Sequence, residues 1–113
     1  MKVMLKRAYE PAAKADGKRV LVDRLWPRGI TKAKARIDLW LKEVAPSTEL
    51  RQWFHHEVAN WPEFQKRYRA ELKGNAAFAE LKALAADGDL TLVYSAKDET
   101  HNQAVVLKQL IEK

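Results

Sequence analysis

The sequence predicts an α/β domain: a small sheet, mixed or mostly parallel, of three or four strands, flanked by about four or five helices. Three observations carry this reading. Val20-Leu21-Val22 is continuously apolar, as expected of a strand covered on both faces. Three segments, with Trp61, Phe64, Tyr68 and Leu72, then Phe78, Leu81, Leu84 and Ala85, then Ala104, Leu107, Leu110 and Ile111, place their apolar residues mostly at spacings of three and four. The strand-like run Leu90-Thr91-Leu92-Val93-Tyr94 has helical patterns on both sides, so it requires crossover connections and at least some parallel pairing.

In chain order, the first strand is read over Lys2 to Tyr9 and is broken by Pro11 and Asp16-Gly17. The second runs from Arg19 to Leu25 and is ended by Pro27 and Gly29. Thr31 to Arg36 forms a short helix or loop, and the alternation in Ile37-Asp38-Leu39-Trp40-Leu41 suits a third strand. Ser47 is a candidate N-cap for the helix holding Leu50, Trp53 and Phe54. Asn60-Trp61-Pro62-Glu63 reads as a capped helix start, with Glu63 completing a capping box. Trp61, Phe64, Tyr68 and Leu72 then share a face, and Gly74 ends the helix. A further helix carries Phe78, Leu81, Leu84 and Ala85 and stops near Gly88. The strand 90–94 follows, and the last helix holds Ala104, Leu107, Leu110 and Ile111. Without repeats, low-complexity tracts or linkers, residues 1–113 read as a single α/β domain.

Composition narrows the chemistry. The chain has no cysteine, which excludes disulfides, thiolate catalysis, zinc–thiolate sites and iron–sulfur clusters. No run approaches a membrane span, and the N-terminus lacks the apolar stretch of a signal peptide, so a soluble cytoplasmic protein is expected. The net charge of +6 is uneven. Residues 1–36 hold 11 Lys/Arg against 3 Asp/Glu, and residues 37–113 hold 10 against 12. A basic N-terminal third points to an anionic partner such as a nucleotide, a nucleic acid or a phosphorylated metabolite. An ordinary solvated surface is the alternative.

Two segments could carry chemistry. In Asp23-Arg24-Leu25-Trp26-Pro27-Arg28-Gly29, two arginines flank a rigid Trp-Pro unit at a strand exit, the edge where open α/β sheets bind ligands. Arg24 and Arg28 could grip a phosphate or carboxylate, Trp26 could stack on a base, and Asp23 could orient Arg24 or act itself as acid or base. The structural alternative is an Asp23–Arg24 ion pair with Trp26 in the core. The second segment, Tyr94 to Asn102, joins a strand to a helix. Ser95 and Asn102 offer neutral hydrogen bonds, Lys97 offers charge, and Asp98 offers acid–base capacity. The alternative there is that Asp98 or Thr100 caps the last helix. His55 and His56 are adjacent and point apart on a helix, and no HExxH spacing occurs, so no metal site is read. No GxSxG, GxGxxG or GxxxxGK[ST] loop is present, so no cofactor is called for.

Three blocks carry a family likeness: Val22-Asp23-Arg24-Leu25-Trp26-Pro27-Arg28-Gly29; Asp38-Leu39-Trp40 with Ala45-Pro46-Ser47 and Leu50-Arg51-Gln52-Trp53-Phe54; and Tyr94-Ser95-Ala96-Lys97-Asp98 with Asn102. In order and spacing they resemble the bacterial YeaO-like branch of domain-of-unknown-function family 488. The resemblance covers nearly the whole chain and implies a compact cytosolic α/β domain, with no activity attached. Longer members of the wider family place a cysteine after the last strand and a Cys-His-Arg at the following helix. Here Tyr94-Ser95 and Thr100-His101-Asn102 stand in those regions, which removes any thiol chemistry.

The leading expectation is therefore a domain that binds an anionic ligand where segments 23–29 and 94–102 meet. Arg24, Trp26, Arg28, Ser95, Lys97 and Asn102 would serve as ligand contacts. Asp23 and Asp98 would be the acid–base candidates if a reaction occurs. The competing expectation is a non-enzymatic nucleic-acid-binding module, whose basic N-terminal third merges into one face.

Overall fold

Strand β4 (Leu90–Tyr94) is buried along its whole length, and the sheet is built around it. The structure is a computed structural model that describes residues 2–113. β1 (Val3–Arg7) pairs with one edge of β4 from Val3↔Leu90 to Arg7↔Tyr94. β2 (Lys18–Leu21) pairs with the other edge from Lys18↔Leu90 to Leu21↔Val93, and β3 (Leu39–Trp40) lies outside β2. The order is β1-β4-β2-β3 and every pairing is parallel, so the chain must cross between strands, as expected of alternating strands and helices.

β1 reaches β2 through a segment holding only the 3-10 turn Lys14–Asp16. Among the described residues, α1 (Lys32–Ala35) lies between β2 and β3, α2 (Thr48–Phe54), α3 (Trp61–Leu72) and α4 (Ala76–Asp87) between β3 and β4, and α5 (Gln103–Glu112) forms the tail. Strand periodicity sends Val20, Val22, Leu90, Leu92 and Tyr94 to one face, where they pack with Leu50, Phe54, Phe64, Tyr68, Leu72, Leu81 and Leu107 from α2 to α5. The opposite face holds the smaller cluster of Ala8, Leu21 and Val93, roofed by Trp26, Ile37 and Trp40. Both faces are covered, as the apolar run at Val20–Val22 requires. The second cover is made of loop residues and two tryptophans packed edge to face, 5.5 Å between centroids.

Several local readings shift. β2 ends at Leu21 rather than Leu25, because after Val22 donates to the Val93 carbonyl the chain turns and Asp23 engages Ser95 instead of a ladder. The third strand shrinks to two residues. Ser47 caps α2 as expected, its Oγ accepting from the Leu50 N–H at 3.1 Å. The capping box at Asn60 does not form. Asn60 already has helical backbone angles at the end of a 3-10 turn, and Glu63 pairs with Arg67 at 2.9 Å. The last helix is capped by Asn102, whose Oδ1 accepts from the Val105 N–H at 3.1 Å, not by Asp98 or Thr100.

At the amino end of the sheet, Asp16 is buried between two cations, Arg19 at 2.6 Å and Lys6 at 3.0 Å. Gly17, with φ 63°, brings the chain so close that a Cβ there would lie 2.4 Å from the Asp89 carbonyl oxygen.

Candidate functional site

At the carboxyl end of the sheet, the loops that follow β2 and β4 come together as the two sequence segments predict. They enclose one side of a cleft of about 520 Å³; the C-terminal end of α2 and the start of α5 enclose the rest.

Asp23 forms the floor. It is 8% exposed, and one carboxylate oxygen accepts from the Ser95 N–H (2.9 Å) and the Ser95 hydroxyl (2.5 Å). The other accepts from Gln103 Nε2. Its main-chain carbonyl accepts from Trp40 Nε1 at 2.6 Å. Burial pushes the Asp23 carboxyl above the usual carboxylate range, and the Ser95 and Gln103 hydrogen bonds together with the charge of Arg51 only partly offset it. Asp23 therefore does not orient Arg24, and the pair expected as a structural alternative is absent. Arg24 turns the other way. Its Nε donates to the Pro46 carbonyl (3.0 Å) and Nη2 to that of Ala45 (3.3 Å), tying the β2 exit to the segment before α2.

The walls are set by similar ties. Trp26 lines the cleft while its Nε1 donates to the Ile30 carbonyl at 2.6 Å, closing the 26–30 turn. Tyr9 donates its hydroxyl to the Arg28 carbonyl at 3.0 Å. Arg7 lies 5.0 Å from the Tyr9 ring centroid and donates to the carbonyls of Ala96 (2.9 Å) and Ser95 (3.3 Å), fixing the β4 exit.

What remains at the rim is positively charged and unengaged. Arg28 and Arg51 both line the cleft and are exposed, and neither side chain has a hydrogen-bond or ion-pair partner among the described residues. His55 and His56 stand beside them at the end of α2, both with left-handed backbone (φ 46° and 54°). Ser95 and Asn102 also line the cleft, Asn102 being engaged as the helix cap. Lys97 and Asp98 do not. Asp98 folds back on its own turn, accepting from the Thr100 N–H (2.9 Å), the His101 N–H (3.1 Å) and His101 Nδ1 (2.9 Å). Those bonds, led by the Thr100 N–H, hold its carboxyl down at about 2.

Arg51, Gln103, His55 and His56 escape a reading of the two segments alone. Arg51 is the one with a signal, since it falls in a block that carries the family likeness. A larger hollow of about 730 Å³ lies between residues 40–47 and 68–80, lined by Glu43, Glu71 and Glu80. Its Glu71 is occupied by the Ser47 N–H and hydroxyl, and its Arg24 by main-chain carbonyls, so it presents no comparable set of unengaged groups. No three His, Asp or Glu side chains cluster as metal ligands among the described residues, and no helix there is long and apolar enough to cross a membrane.

Two basic residues of the N-terminal third are taken up within the fold. Arg19 is 3% exposed and Lys6 is engaged by Asp16 and the Pro11 carbonyl. Lys18 starts β2 at the opposite end of the sheet from Arg28.

Comparison with known proteins places the chain in a family. The model described as "Inactive DUF488-N3 subclade" matches residues 2–113. The uncharacterised protein YeaO of Escherichia coli is 49% identical over 108 residues, covering 95% of this chain and 94% of that one. The uncharacterised protein Rv3073c of Mycobacterium tuberculosis is 44% identical over 110 residues, 97% of this chain and 93% of its own. No solved structure matches the chain. The chain belongs to the inactive DUF488-N3 subclade, in its YeaO-like branch.

Proposed function

We propose that this member of the subclade binds a small anionic molecule in the cleft at the strand ends, without turning it over. The observation that carries the reading is a mismatch of charge. Arg28 and Arg51 face the cleft from two walls with no partner among the described residues, while the one carboxylate there, Asp23, is saturated by Ser95 and Gln103. Two unpaired guanidinium groups in one cleft suit bidentate contacts to a phosphate or carboxylate. The volume suits a small ligand rather than a polymer.

Arg28, Arg51, Trp26 and Ser95 are the ligand contacts in this reading. Asp23 and Asn102 hold the loops that present them, and Arg24 adds charge from the cleft wall. The subclade's description as inactive supports binding without turnover. A small ligand is favoured over nucleic acid because the basic residues outside the cleft are partly buried or paired and lie at both ends of the sheet.

The test is a thermal-shift screen against nucleotides, phosphorylated metabolites, carboxylates and short oligonucleotides, repeated with Arg28→Ala and Arg51→Ala. Ligands that bind the folded state raise Tm by mass action. The expected result is a small anion whose shift falls in both variants. A shift indifferent to both would overturn the site, and a hit by oligonucleotides alone would overturn the ligand class.

A further inference from the structure

We infer that the cleft takes a phosphate monoester with an apolar body, and that His55 and His56 are the side chains that read its phosphate. This rests on the anion-binding reading above and goes further by naming the ligand's two halves and the residues that select them.

The charge of the cleft sets the first half. Arg24 is met by Glu43 at 3.8 Å, and the single carboxylate of the lining, Asp23, is held by Ser95 and Gln103, so the cations without a partner among the described residues are the two guanidinium groups of Arg28 and Arg51. That balance matches a dianion, which a phosphate monoester supplies near neutral pH and a lone carboxylate does not. The second half follows from the apolar part of the lining, where Leu25 is 69% exposed and Trp26 half-buried, with the core residues Phe54 and Phe64 beneath. A ligand that was only a phosphate would leave this surface in water.

The histidines connect the halves. α2 ends at Phe54, and the next two residues both adopt left-handed backbone, His55 at φ 46° and His56 at φ 54°. Glycine or asparagine makes such a helix end with less strain. Here both positions carry imidazoles that line the cleft and have no hydrogen-bond partner among the described residues. The His56 ring also lies against Phe54, 5.8 Å between centroids, next to the apolar wall. Strain retained at two successive positions is accounted for if the side chains, rather than the turn, are what the cleft requires.

The experiment is isothermal titration of the full chain with phenyl phosphate, inorganic phosphate and benzoate. It compares wild type with two double variants, His55→Asn/His56→Asn and His55→Gly/His56→Gly, each also melted without ligand. In wild type, phenyl phosphate should bind at least about tenfold tighter than either inorganic phosphate or benzoate. Both variants should weaken phenyl phosphate at least about tenfold while their unliganded Tm stays level or rises by about 2–5 °C, since the turn is eased. Variants that bind as wild type does, or asparagines that bind as wild type while the glycines do not, would overturn the histidines' role. Benzoate binding as tightly as phenyl phosphate would overturn the ligand class and leave the anion site standing. Failure of all three probes would overturn this inference, and an empty thermal-shift screen beside it would remove the anion-binding reading as well.

Discussion

Two buried carboxylates stand at opposite ends of the same sheet, and their surroundings differ in kind. Asp16, 5% exposed at the amino end, is held by Arg19, Lys6 and the Ala13 N–H. Asp23, 8% exposed at the carboxyl end, is held by the neutral donors of Ser95 and Gln103. Burial raises the proton affinity of both. At Asp16 the hydrogen bonds from Ala13, Lys6 and Arg19 more than reverse it, and the carboxyl ends below the ordinary value; at Asp23 burial prevails and the carboxyl ends above it. The lesson concerns the arginines as much as the aspartates. At the amino end the anion is met directly by two cations, although Arg19 Nη2 stays buried without a hydrogen-bond partner among the described residues. At the carboxyl end the anion is satisfied without the cations, so the guanidinium groups keep their charge for something else.

The sharpest way to break this contrast is Asp16→Ala. It leaves the buried Arg19 guanidinium without its anion, and removing one partner of a buried pair costs about 3–5 kcal/mol. A loss of folded protein or a large drop in urea midpoint is expected, and a drop of under about 1 kcal/mol would mean that Arg19 finds other partners. Gly17→Ala attacks the same end through backbone alone, since the new Cβ meets the Asp89 carbonyl oxygen and φ is 63°. About 2 kcal/mol of destabilisation is expected, read by the same unfolding curves.

Asp23→Asn should be mild by comparison and should show itself in pH dependence. Because the folded-state pKa of Asp23 is raised, its contribution is fully present below the ordinary carboxylate value of 3.8 and declines as pH climbs through the raised value. Stability of the variant relative to wild type should therefore improve between acid and neutral pH; a constant difference would show that burial does not govern Asp23. Arg28→Ala and Arg51→Ala should leave stability within about 0.5 kcal/mol of wild type by thermal melts, because neither side chain is engaged. Asp98→Asn should show a small effect that depends on pH. Its lowered carboxyl, at about 2, supports the fold above 3.8 and loses that support as pH falls toward 2, so the variant should match wild type only at the acid extreme.

Much of the architecture is legible in local pattern. β4 occupies the residues that its apolar run marks, and the helix spacing from Trp61 to Leu72 lays Phe64, Tyr68 and Leu72 into the core. The errors occur where a distant residue outbids a neighbour. β2 reads on to Leu25 because the first breakers in sequence are Pro27 and Gly29, and nothing near Asp23 announces that Ser95 and Gln103 will take its carboxylate. Asn60 looks like a cap, yet the 3-10 turn before it already has helical geometry. Half of the cleft is visible as two segments at strand exits. The other half, Arg51 and the histidines, comes from the end of α2, whose arrival there depends on packing of Leu50 and Phe54 in the main core. Left-handed angles at two successive histidines have no sequence signature.

The position of β4 also governs the order in which the molecule can be made. Val3 and Lys18 both find their partner at Leu90, so of the sheet only the two-residue β2–β3 contact can form while the first 89 residues emerge from the ribosome. Pairing over such sequence distances carries a high contact order and slows folding. Asp23 waits longer still, for residue 103. The nascent chain thus keeps apolar strands unpaired and its future cleft open until residues 90–103 are made, and a truncation anywhere before Gln103 would yield a chain that can neither close the floor of that cleft nor seat α5 against β1 and β4.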